Sequence, residues 1–118
     1  MVYMVGSDLE SDGGAASEDI AEMTAANADN INITLQTGGA AAWENASISD
    51  GKTERHIIKN GELQNVANLG ETQMTSPNTL TDFIKWSASN YPADRYELLL
   101  WKHGGGTALG FGYDEMYP

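Results

Sequence analysis

One histidine stands where chemistry is possible. His103 closes the run Leu98-Leu99-Leu100-Trp101-Lys102 and is followed by Gly104, Gly105 and Gly106. An unbroken apolar run reads as a strand covered on both faces, and in open α/β sheets reacting groups sit just beyond the carboxyl ends of the strands. An imidazole placed there can move a proton near neutral pH. The glycines let the main chain approach a substrate, and a free N–H among them can face a developing oxyanion. The same residues also read as a structural histidine beside a turn.

Other candidate chemistries fit the sequence less well. Gly104-x-Gly106 meets Leu109 where a dinucleotide fingerprint needs a third glycine, and no Gly-Lys-Ser/Thr phosphate loop is present. Asp8, Glu10, Asp12, Gly13 and Asp19 fall at the spacings of an EF-hand loop, but Glu10 stands where Asp or Asn belongs and Asp19 where a bidentate Glu belongs. A looser calcium site from the same oxygens and a solvated acidic loop both remain open. His56 lies beside Arg55 in a β-prone run and is expected on a surface or an edge. Trp43, Trp86 and Trp101 read as core or interface anchors.

Composition narrows the classes. The 118 residues allow one domain. Six Lys and Arg against 17 Asp and Glu leave a net charge of −11, which repels phosphate backbones and argues against nucleic acid. No apolar run approaches the ~20 residues of a membrane span. With no cysteine, the chain supplies neither a disulfide nor a thiol nucleophile.

The elements that would position His103 follow from periodicity. Tyr3–Val5 reads as a buried strand, and Gly6–Gly14 as a polar loop. Ser17 is the expected cap of a helix running to about Asn27. Asn30–Thr37 alternates as a second strand, and Ala40–Gly51 reads as a surface loop. Asn60-Gly61 between Arg55–Lys59 and Glu62–Val66 predicts a hairpin. Ser76-Pro77 opens a second helix whose apolar face is Leu80, Phe83, Ile84, Ala88 and Tyr91. Tyr96–Trp101 is the third core strand. Strands separated by helices imply parallel pairing, so an α/β sheet with an attached hairpin is expected, with further strands lying outside this chain.

The ordered set resembles a known family. Tyr3-Met4-Val5-Gly6-Ser7-Asp8-Leu9-Glu10, Asp19-Ile20-Ala21-Glu22-Met23 and Gln36-Thr37-Gly38-Gly39 are similar to the opening of the clostripain family of cysteine peptidases. Leu80-Thr81-Asp82-Phe83-Ile84-Lys85-Trp86, Tyr91-Pro92-Ala93-Asp94-Arg95-Tyr96 and Trp101-Lys102-His103-Gly104-Gly105-Gly106 continue it. Gly110-Phe111-Gly112-Tyr113-Asp114-Glu115 closes it, so the resemblance runs over nearly the whole chain.

The resemblance implies a caspase-like three-layer sandwich, with a mostly parallel sheet, helices on both faces and an inserted hairpin. Residues 1–118 would be the histidine-bearing N-terminal part of one peptidase domain, incomplete without the downstream chain. His103 matches the catalytic histidine, and Gly104 the residue whose N–H helps hold the oxyanion. The cysteine and the acidic residue that selects Arg or Lys before the scissile bond lie further along the precursor, on a heavy chain released by autoprocessing. The chemistry needs no cofactor. Some members need calcium, and many are secreted by bacteria, which implies an extracellular or cell-surface setting. The self-cleaved end of an Arg/Lys-specific peptidase would be basic, whereas this chain ends Tyr117-Pro118. A non-catalytic fragment that binds a partner or calcium is the alternative, and a Ser or Thr hydrolase lacks the nucleophile elbow it would need.

Overall fold

Val2-Tyr3-Met4-Val5 forms β1 (Val2–Val5), and every residue of it is buried. Its alternating side chains serve two cores. Val2 and Met4 pack with Leu35, Trp43, Ile48 and the helical Ala16 and Ile20. Tyr3 and Val5 pack with Met74 and the helical Phe83. The computed structural model describes residues 1–27, 30–103 and 112–118. In chain order the elements after β1 are α1 (Ser7–Ser11), α2 (Ala15–Ala26), β2 (Ile33–Gly38), β3 (Thr53–Lys59), β4 (Glu62–Gly70), α3 (Pro77–Asn90) and β5 (Leu99–Trp101).

These strands form one sheet in the order β4-β3-β2-β1-β5. β1 runs parallel to both β2 and β5, with Met4 opposite Thr37 and Trp101. β3 runs antiparallel to β2 and to β4. The sheet is therefore evenly mixed rather than mostly parallel. The reason lies in the connections: α2 and α3 each carry the chain back for a parallel return, while β2–β3 and β3–β4 are joined without a helix. The hairpin is thus an integral sheet edge. Its turn is as predicted, with Asn60 and Gly61 at φ 55° and 73°, the conformation that a two-residue hairpin loop requires.

α2 covers the face of Val2 and Met4, and α3 covers the face of Tyr3 and Val5. α3 starts as expected, with Pro77 in the first turn after Ser76, although Ser76 makes no side-chain cap. Its buried residues are Thr79, Phe83 and Ser87. Trp86 stacks on Phe83 and lies under the Arg55 guanidinium, 5.1 Å from the ring centre.

Four local expectations need correction. Gly6–Gly14 is not a loop, because it contains the single-turn helix α1. α2 starts at Ala15 after Gly14 at φ 66°, so Ser17 lies inside the helix and does not cap it. The segment 40–51 is not a surface loop throughout, since Ala40, Trp43 and Ile48 are buried in the α2-side core. Finally, the third core strand is shortened to β5 and is not covered on both faces: Leu98, Leu99 and Leu100 are 40%, 58% and 42% exposed.

Candidate active site

Parallel pairing of β1 and β5 decides what meets beyond their ends. Met4 lies opposite Trp101, so the two chains leave the sheet together, one as Gly6-Ser7-Asp8 and the other as Lys102-His103. This is the carboxyl edge where open α/β sheets place their chemistry. His103 Nε2 lies 2.5 Å from Asp8 Oδ1, a pairing of residues 95 positions apart. Both side chains are about half exposed, 46% for His103 and 52% for Asp8. The hydrogen bond from His103 holds the Asp8 carboxyl below its ordinary value.

The main chain under Asp8 is held firmly. Gly6 N donates to Gly38 O at 2.9 Å and Ser7 N to Gly39 O at 3.1 Å, continuing the β1–β2 ladder past the strand ends. Ser7 is buried at φ 48°, a conformation that non-glycine residues rarely adopt and that clusters at functional sites. There is no room for a side chain at Gly6, where a Cβ would sit 3.0 Å from both Ala40 Cβ and Glu10 Cβ. On the other strand, Lys102 folds against Gly112 and donates to the His103 carbonyl at 3.0 Å. Burial lowers the Lys102 ammonium to about 8.

The expected oxyanion donor, the Gly104 N–H, lies outside the described residues. The acidic residues set at calcium-like spacings point to separate tasks. Asp8 meets His103, Asp19 accepts from Trp101 Nε1 at 2.5 Å, and Glu10 is fully buried, accepting from Ser17 N, Ser17 Oγ and Glu44 N. Among the described residues, no three His, Asp or Glu side chains gather as a metal site.

His56 corrects the sequence reading most sharply. It is fully buried rather than on a surface or edge. Its Nε2 meets Thr37 Oγ1 at 3.0 Å and lies 3.8 Å from Glu54 Oε1. The whole polar run Thr53-Glu54-Arg55-His56 is buried, and each residue finds a partner inside; Arg55 Nε, for one, donates to Gln36 Oε1 at 2.9 Å.

From the sequence, Ser7 and Asp8 follow the first strand on the same sheet edge as His103, either bordering a cleft or forming a loop-and-helix approach; the bond of Asp8 to the histidine is not legible there. The one available signal was topological, since two parallel neighbours must end at the same edge.

No curated protein matches the chain. Among solved structures, a B. fragilis cysteine protease superposes with a TM-score of 0.65 at 21% identity, over 90% of this chain and 87% of that one. At that identity the likeness is one of fold. Residues 2–116 match the clostripain family. The chain therefore belongs to the clostripain family of cysteine peptidases.

Proposed function

We propose that this chain is the histidine-bearing part of a clostripain-like cysteine endopeptidase that cleaves after Arg or Lys. The observation that carries the reading is His103 at the carboxyl edge of β1 and β5, its imidazole held by Asp8. Helices on opposite faces of the sheet support a caspase-like, three-layer domain, of which residues 1–118 are the N-terminal part. The outer edge of β5, unpaired among the described residues, and the absence of cysteine from the 118 residues support a Cys-bearing heavy chain as the partner that completes both sheet and site. The reading carries with it an origin by autoprocessing and a secreted or cell-surface setting.

The mechanism follows from what a thiol protease needs. The partner's thiol gives its proton to the His103 imidazole, and the thiolate attacks the carbonyl before the scissile bond. The Gly104 N–H stabilises the oxyanion that forms. The imidazolium returns its proton to the leaving amine, and water then releases the acyl group. No step uses a cofactor, and calcium, where it acts, would act on assembly. No helix of the described residues is long and apolar enough to cross a membrane.

The first experiment is the intact mass of the native sample under denaturing conditions, combined with turnover of an Arg-ending fluorogenic peptide. The expected result is a second, cysteine-bearing polypeptide in equal amount, activity of the pair, none from residues 1–118 alone, and none from the pair carrying His103→Ala. A single folded 12.7 kDa species without activity would make the chain a non-catalytic, partner- or calcium-binding fragment.

A further inference from the structure

We infer that Asp8 is the positioning residue of the catalytic histidine, fixing the His103 ring so that Nδ1 is the nitrogen that takes the thiol proton. The inference rests on the preceding reading of His103 as the base.

The two ring nitrogens have different surroundings. Nε2 is 2.5 Å from Asp8 Oδ1, a charge-assisted contact in which Nε2–H donates to the carboxylate. A nitrogen that keeps its proton for Asp8 cannot accept another. The hydrogen bond at one nitrogen sets the tautomer at the other, so Nδ1 is left with its lone pair. When Nδ1 takes the thiol proton, the ring becomes an imidazolium with a carboxylate already against its far side. The Nε2 proton stays on Nε2 throughout, and Asp8 is never protonated.

Asp8 can hold this position because its backbone is not a free loop. The chain before it is tied to β2 by Gly6 N to Gly38 O and Ser7 N to Gly39 O. The chain after it is anchored by Glu10, whose N–H returns to Gly6 O and whose carboxylate is buried. The left-handed Ser7 between these anchors turns the chain from β1 into α1. Two charged groups are set against His103 among the described residues. One is Asp8, from α1. The other is Lys102, its own neighbour, whose ammonium meets the His103 carbonyl rather than the ring.

A bland alternative is an exposed ion pair of little consequence, since both side chains are about half in water. Activity and the ring tautomer separate the two, because a solvated pair of little consequence fixes neither. The test uses the assembled enzyme with its cysteine-bearing chain. In Asp8→Asn, kcat should fall at least about tenfold with KM within about twofold, as expected when a residue orienting a catalytic imidazole is lost. The nitrogen shifts of the neutral His103 ring, followed by NMR, should show the Nε2–H tautomer in the parent and a mixture of tautomers in Asp8→Asn. Asp8→Glu should recover part of kcat, and both variants should bind the partner chain normally. Parent-like kcat with an unchanged ring tautomer in Asp8→Asn would overturn the inference while leaving His103 as the base. Lost activity with an unchanged ring tautomer but impaired assembly would also overturn it, by making Asp8 structural. Full activity in His103→Ala would instead remove the reading beneath it.

Discussion

The imidazole of His56 is sealed between strands, with Nε2 3.0 Å from Thr37 Oγ1 at the end of β2. Among the described residues Nδ1 has no hydrogen-bond partner, so a second ring proton would be buried without an acceptor. Desolvation therefore lowers the His56 pKa, and Glu54 at 3.8 Å offsets only part of this.

The sign of the pH effect follows. Below the unfolded value of about 6.5, the unfolded chain binds a proton that the folded chain refuses. Stability then falls as pH drops through that value and levels off only below the folded pKa. Thermal unfolding of the assembled protein between pH 8 and pH 5 should show this loss on acidification. His56→Gln should flatten that part of the curve. An unchanged slope in the variant would assign the acid loss to the carboxylates.

Glu10 is a buried carboxylate held by neutral donors. It accepts from Ser17 N at 2.9 Å, Glu44 N at 3.0 Å and Ser17 Oγ, tying α1 to α2 and to the 40–51 segment. Glu10→Gln turns an NH₂ toward donors that need an acceptor. Hydrogen bonds to a charged group contribute roughly 1.5–3 kcal/mol each, so Glu10→Gln should cost at least about 2 kcal/mol and Glu10→Ala more. The urea midpoint measures this, and a loss below about 0.5 kcal/mol would mean that water replaces the carboxylate.

What the sequence revealed was local. Asn60-Gly61 and Ser76-Pro77 carry their own backbone requirements, and both features stand where those residues put them. β1 reads as a strand because four consecutive β-prone residues leave few alternatives. α1 was illegible because five residues are too few for a helical period. The start of α2 was misplaced because Ser17 looks like a cap, whereas its hydroxyl serves Glu10 across the α1–α2 corner. His103 was marked by its place after an apolar run. Asp8 is legible as a residue of the same sheet edge, but its bond to His103 is not, because a contact over 95 residues is set by strand order and leaves no local trace. The burial of His56 was hidden for the same reason, since its neighbours lie on another strand.

Gly39 is a point where the site admits no side chain. It has φ 74°, and a Cβ there would lie 2.6 Å from Val5 Cγ1 in the core of β1. Its carbonyl also receives Ser7 N and Glu115 N. Gly39→Ala combines backbone strain with overpacking, for a cost of about 2–4 kcal/mol. It should lower the melting temperature of the assembled protein and reduce kcat by displacing Ser7 and Asp8. A variant with normal stability and activity would show that the β1–β2 corner is softer than its hydrogen bonds imply.

The β5 edge gives the last prediction. Leu99 and Leu100 point to opposite sides of the strand and are 58% and 42% exposed, and among the described residues the outer edge of β5 is unpaired, so the proposed heavy chain would cover both faces and pair that edge. An unpaired apolar edge is prone to pair with any available strand. Residues 1–118 alone should therefore self-associate, and the cysteine-bearing chain should suppress this. Burying one leucine contributes about 1.5–3 kcal/mol, so Leu99→Asp or Leu100→Asp should weaken assembly by at least about tenfold. Val66→Asp, on the exposed β4 at the opposite edge, should leave it unchanged. Titration of the two chains against each other, read by calorimetry, separates the edges. Equal weakening by all three substitutions would mean that added charge acts non-specifically. Weakening by Val66→Asp alone would move the partner to the hairpin edge and take the nucleophile away from His103.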